Sequence, residues 1–281
     1  MPPKAATAQP TTLQQRVVTL VQHPQFIWFA GHCLHLACSL RYLLAFVTFS
    51  ASKHGLAFKA SFVGALLTYG IVTYKTFSNP KTRGPIDLQL ALKLWTDENV
   101  QYFLLAAYWL FISKPIVVAL LPYTIFSVFH FLTYLRASVV PAFDETALQE
   151  NAQTTSARFC RITNSWIKQN YERAMALAAR IELLVVGGRV LLGVLTWQLP
   201  FHTLAMVGAF LRYRYSTSAF TRTQFSQLAL TLDHAVADPR VPAPVKQGWQ
   251  TIRGLVSQYL GRMPASVPQN AGAASQERKT Q

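Results

Sequence analysis

Residues 100–135 read VQYFLLAAYWLFISKPIVVALLPYTIFSVFHFLTYL, two apolar runs parted only by Lys114 and Pro115. Val100 to Ser113 and Ile116 to Leu135 leave space between them for a tight turn and nothing more, so the stretch reads as a helical hairpin. Neither run carries its apolar residues on one stripe. A helix that is apolar on every side belongs in lipid or deep in a large core.

The same reading extends in both directions. Residues 26–49 form a first block, long enough to cross a hydrocarbon core of about 30 Å at about 1.5 Å per residue, although His32, His35 and Arg41 interrupt it. A shorter second block, 60–74, is followed by Lys75, Pro80, Lys81 and Arg83. Blocks at 181–195 and 201–211 are joined by Thr196, Trp197, Gln198, Leu199 and Pro200, a second short hairpin with an interfacial tryptophan and a turn proline. The expected fold is therefore all-α: a polytopic integral membrane protein with short helical hairpins and C-terminal amphipathic helices.

Composition agrees. Of 281 residues, 51% are hydrophobic and only 13% charged, about half the charge of ordinary soluble domains. The net charge of +15 raises a nucleic-acid reading, but the basic residues flank apolar blocks instead of clustering on one polar surface, which suits an anionic leaflet better than phosphodiesters. Nucleic acid is not expected as a partner. If both termini are cytosolic, 21 of 26 Lys and Arg lie on the cytosolic side and only Lys53, Lys59 and Lys114 outside, with Arg41 and Arg189 inside blocks. The positive-inside rule selects that orientation. The organisation follows: a cytosolic tail at 1–25, a membrane domain at 26–211 with a cytosolic loop at 136–180, a cytosolic amphipathic region at 212–262, and a disordered tail at 263–281 rich in Pro, Ala, Ser and Gln. Cys33, Cys38 and Cys160 do not form a disulfide framework.

Function resides in the segments that remain. Between Pro242 and Arg262, Val245, Trp249, Ile252, Val256 and Tyr259 recur at spacings of three and four, with Leu260 alongside. Lys246 and Arg253 belong to the opposing polar side. This pattern suits a helix lying in the headgroup plane, while packing on the protein itself produces the same stripe. Thr221 to Val236 repeats it more weakly through Phe225, Leu228, Leu232 and Ala235. Glu182 and Arg189, seven residues apart, form an intramembrane polar pair on one helix face. That pair, with His32 and His35, defines the alternative reading of a polytopic lipid enzyme or small transporter. His32, His35 and Cys38 supply too few ligands for a structural metal. No catalytic set and no cofactor are expected.

Two motifs resemble the transmembrane protein 33 family. Ser127 to Tyr134, SVFHFLTY, is similar to that family's hairpin, and Phe210 to Ser216, FLRYRYS, followed by Arg222, Thr223 and Phe225, to its exit segment. Weaker similarity surrounds Cys38 and Glu182, and the match extends from about Gln25 to Leu260, with departures in the tails and at Pro141 to Thr155. The resemblance implies a non-enzymatic protein of the endoplasmic reticulum and nuclear envelope. It further implies reticulon-type partners, effects on tubules and sheets, support of nuclear pores in fungi, and contacts with nucleoporins and an importin-type receptor. The importin contact falls on no particular residue of this chain, whereas the stripe through Trp249 resembles the family's membrane-binding part.

Overall fold

The computed structural model of the chain describes residues 12–78, 86–149 and 151–261. The 263–281 tail expected to be disordered lies outside the described residues, as do Arg262 and residues 1–11. Among the described residues all regular structure is helical. In chain order the helices are α1 (Leu13–Gln22), α2 (Pro24–Val47), α3 (Gly55–Ser78), α4 (Leu88–Trp95), α5 (Glu98–Phe111), α6 (Leu120–Tyr134), α7 (Val140–Phe143), α8 (Thr155–Arg180), α9 (Gly188–Leu195), α10 (Phe201–Thr217), α11 (Ala219–Ala237) and α12 (Ala243–Gly261). Two π-helical stretches, Leu135–Val139 and Ile181–Gly187, link α6 to α7 and α8 to α9. Among the described residues three segments are long and apolar enough to cross a membrane: Pro24–Val47, Ala51–Ser78 and Val117–Phe143.

The chain forms two compact units, Met1–Tyr74 with Trp109–Ala174, and Lys75–Tyr108 with Met175–Gln281. In the first, α1 starts on a capping box in which Thr12 accepts from the Gln15 amide and Gln15 returns the bond. His23 separates α1 from α2, and Pro24 opens α2, where a missing N–H costs nothing. Helices α2 and α3 touch through backbone: a Cβ on Gly64 would sit 2.6 Å from the Gly31 carbonyl oxygen and 2.7 Å from the His35 nitrogen. Small residues at such crossings let two membrane helices approach closely. Helix α6 lies antiparallel to α2, since Phe29 stacks on Phe131 and Tyr134 while His35 reaches Thr124. Phe58, Phe62, Trp109, Leu120 and Tyr123 fill the centre.

The block expected at 60–74 is in fact a helix of 24 residues, Gly55–Ser78. Lys59 hides its charge at the carbonyl end of α5, its ammonium donating to the Trp109 and Ser113 carbonyls at 3.1 Å and also to that of Leu110. A cation at a helix C-terminus meets four orphan carbonyls and the negative end of the dipole. The connection at 136–180, expected to carry acidic and polar residues ahead of a basic helical stretch, is helical over most of its length. From Thr155 it is helix, without a break to Leu195. Its polar face of Arg161, Lys168, Gln169 and Arg173 lowers the hydropathy enough that an apolar run is visible only from Ile181. Trp166 stacks on Phe129 at 5.3 Å, so α8 lies along α6.

In the second unit Asp97 caps α5 by accepting from the amides of Asn99 and Val100. The hairpin between α9 and α10 closes with Trp197 in the left-handed region, φ 60, with the Gln198 and Leu199 amides returning to the Gly193 carbonyl. Ser218 ends α10 and caps α11, accepting from the Thr221 amide at 3.3 Å.

Candidate membrane-binding surface and buried ion cluster

Helix α12 is held by one edge of its apolar stripe, and the rest of that stripe is open. The Trp249 indole donates to Asp233 Oδ1 of α11 at 2.8 Å, and Arg253, one turn on, pairs with Oδ2 of the same carboxylate at 3.2 Å. The Arg212 guanidinium lies 4.7 Å over the Tyr259 ring. Trp249, Leu260 and Lys246 are accordingly half-buried. Val245, Ile252, Leu255, Val256 and Tyr259 are exposed, Ile252 to 54% and Leu255 to 60%. In contrast, α11 turns Phe225, Leu228 and Leu232 partly inward and leaves Ala235 exposed. The two amphipathic helices thus divide the work, one packing inward and the other presenting its apolar side.

Glu182 and Arg189 are not brought together. Glu182, 3% exposed, accepts from the Tyr102 hydroxyl on Oε1 and from Arg214 Nε on Oε2 at 3.3 Å. Arg214, 4% exposed, also pairs with Glu98, and its guanidinium lies 5.4 Å from the Tyr102 ring. The starts of α5 and of the second π-helix are thereby pinned to the end of α10. Arg189 instead donates to Gln198 in the hairpin turn at 3.1 Å. A buried charge is tolerated only when paired and hydrogen-bonded, and both oxygens of Glu182 are engaged. Of the block-one histidines, His35 is fully engaged, Nδ1 donating to the Ser61 carbonyl at 2.9 Å and Nε2 lying 3.3 Å from Thr124 Oγ1, whereas His32 Nδ1 lies 3.0 Å from Ser127 Oγ and its buried Nε2 has no hydrogen-bond partner. Among the described residues no three His, Cys, Asp or Glu are placed to hold a metal ion.

Comparison with known proteins agrees with this architecture. A family model described as Transmembrane protein 33/Nucleoporin POM33 matches residues 5–261. The chain belongs to the transmembrane protein 33/POM33 family. It is 34% identical over 276 residues to Tetra-spanning protein 1 of Schizosaccharomyces pombe, covering 98% of this chain and 97% of the relative. It is 31% identical to Nucleoporin POM33 of Chaetomium thermophilum, with 92% of each chain covered. Identity is 25% to the Pore and endoplasmic reticulum protein of 33 kDa of Saccharomyces cerevisiae, over 87% of this chain and 93% of that one. No solved structure matches.

Within this family member three features are visible only in the structure: the partners of Arg214, helix α4, and the left-handed backbone at Phe49 and Trp197. In the sequence Arg214 is one residue of the basic FLRYRYS exit segment, with nothing to name its partners. Helix α4 has eight residues, too few for a hydropathy window, yet it exposes Leu88, Leu92 and Trp95 at helical spacing while Leu90 turns inward. Phe49 and Trp197 both take positive φ and are almost wholly exposed, 98% and 94%. A non-glycine residue in the left-handed region costs roughly 1–2 kcal/mol. Exposed aromatics at the ends of membrane helices have a use that offsets that cost, as anchors at headgroup level.

Proposed function

We propose that this chain is a non-enzymatic organiser of the endoplasmic-reticulum and nuclear-envelope membrane, shaping one leaflet with cytosolic amphipathic helices while its hairpins anchor it. The observation that carries the reading is the exposed stripe of α12 beside a pinned Trp249. Burying five half-exposed side chains at about 1 kcal/mol each gives on the order of 5 kcal/mol. Lys246 adds about 1 kcal/mol near an anionic surface, while Arg253 is already paired with Asp233. Such a helix binds reversibly unless the membrane domain tethers it, and here it is tethered. Leu88, Leu92 and Trp95 of α4 form a second, smaller surface contact between two membrane entries.

Both termini are assigned to the cytosol, and the internal contacts support the alternation this requires. The Glu98–Arg214–Glu182 cluster joins the starts of the third and fifth blocks to the end of the sixth, all cytosolic ends. Within the second unit Tyr108, near the end of the third block, meets Thr203 at the start of the sixth, and within the first Lys59, at the start of the second block, meets the carbonyls that end the third. The names of the relatives, nucleoporin and pore and endoplasmic reticulum protein, support the location and a link to nuclear pores. Partners of this chain would be membrane lipids, reticulon-type shaping proteins, nucleoporins and an importin-type receptor. An enzyme or transporter reading loses its main residues, because Glu182 is closed by Tyr102 and Arg214.

The test is a polarity-sensitive fluorophore on a single cysteine at position 252 of the full chain, with Cys33, Cys38 and Cys160 replaced by Ala. In vesicles containing anionic lipid, emission at 252 shifts to the blue, and emission from the same dye at Gln250 stays water-like. Water-like emission at both positions would refute the surface role.

A further inference from the structure

A cavity of about 500 Å³ opens in the first unit where the chain enters and leaves its membrane segments, between α1, the start of α2, and the π-helix and α7 that end the Val117–Phe143 segment. Its chemistry is one-sided. The Arg16 side chain, 23% exposed, lines it, and Arg16 Nε and Nη1 are shielded from solvent without donating a hydrogen bond. His23 Nδ1 accepts from the Gln25 amide at 3.2 Å, which leaves Nε2–H as a donor when the ring is neutral. Gln15 Oε1 is taken by the Thr12 amide, leaving the Gln15 amide hydrogens. Ser138 and Tyr134 line the same space, Leu20 and Pro141 supply an apolar wall, and no Asp or Glu is among the lining residues. Glu145 approaches Arg16 Nη1 to 3.1 Å from a side chain that is itself 59% exposed, without making a hydrogen bond.

A shielded guanidinium with idle N–H groups is costly until an acceptor arrives. Here its neighbours offer mainly donors, and the one acid in reach is a solvent-exposed side chain that an incoming anion displaces. Arginine's planar fork suits a phosphate oxygen pair. We propose that this cavity is a binding site for the phosphate headgroup of an anionic phospholipid, with Arg16 as the principal contact and Glu145 as its competitor in the empty state. The apolar wall and the position at a membrane boundary favour a lipid phosphate over a free one, although both would use the same donors. The site shares no residue with α12 and stands whether or not that helix binds membranes.

Native mass spectrometry of the full chain in mild detergent tests it, titrated separately with dioctanoyl phosphatidic acid, dioctanoyl phosphatidylcholine, glycerol phosphate and inorganic phosphate. One phosphatidic acid binds, and Arg16→Gln weakens it about tenfold or more, the loss of a charge-assisted hydrogen bond. Glu145→Gln changes affinity the other way, tightening it. Misfolding does not imitate that gain. Equal binding of phosphatidic acid and inorganic phosphate would overturn the assignment to lipid. Unchanged binding by Arg16→Gln, or weakening by Glu145→Gln, would overturn the site and reduce Arg16–Glu145 to a surface ion pair.

Discussion

Replacing Arg214 with Met leaves the Glu182 carboxylate 3% exposed with only the Tyr102 hydroxyl to serve it. Breaking a buried pair by removing one partner costs about 3–5 kcal/mol, because the stranded charge must be neutralised or rehydrated. Glu98 contributes little to that figure, since its side chain is 43% exposed and solvent screens the pair to roughly 0–1 kcal/mol. Adding Glu182→Gln removes the stranded charge, and its amide oxygen still accepts from Tyr102. The double variant is therefore expected to regain about 2 kcal/mol or more over the sum of the single losses. Denaturant unfolding of the purified chain in micelles, followed by tryptophan fluorescence and run as a double-mutant cycle, measures this directly. An Arg214→Met loss below about 1 kcal/mol, or single losses that simply add, would refute the assignment of the cluster as the buried tie between these helix ends.

Gly64→Ala places a methyl 2.6 Å from the Gly31 carbonyl oxygen, backbone that cannot rotate away. Unfolding is expected to show a loss of about 1–3 kcal/mol or more, whereas Gly254→Ala, which meets nothing within 4 Å, gains about 0.5–1 kcal/mol of helix propensity. Lys59→Met strips the cation from three carbonyls at the end of α5. A loss of about 1–2 kcal/mol in the same assay checks it, and protease sensitivity near Ser113 should rise. Hydrogen bonds from the Thr146 hydroxyl and amide hold the Asp144 carboxyl below the usual carboxylate range. A depressed folded pKa adds stability that is complete above the ordinary aspartate value and is lost as pH falls through the folded one. Acid titration of stability should therefore flatten in that window for Thr146→Val.

The lipid-facing class of the fold was legible because apolar runs such as 100–135 leave no polar face for water. Partner choice was not. Glu182 and Arg189 align at seven-residue spacing only in an α-helix, and the π-helix at Ile181–Gly187 breaks that alignment by its wider turn. The true partner, Arg214, is 32 residues away on α10, a distance that no local periodicity reports. The basic stretch before block five was legible as helix, but its charged face hid that it runs unbroken into that block, and α4 was hidden by its length. On α12 the period gave the stripe from Val245 to Leu260, but not that Asp233 would claim its Trp249 edge. That choice belongs to a neighbouring helix, and with it the decision about which apolar residues remain for the membrane.

If the side chains that α12 keeps exposed reshape the membrane, vesicle diameter responds to them. Cryo-electron microscopy of vesicles reconstituted with the full chain at rising protein-to-lipid ratio measures diameter directly. The wild type should yield progressively narrower vesicles or tubules, and Ile252→Asp with Val256→Asp should restore the wide, protein-free distribution while leaving reconstitution intact. Diameters that do not respond to the wild type, or that respond equally to the double variant, would contradict the account.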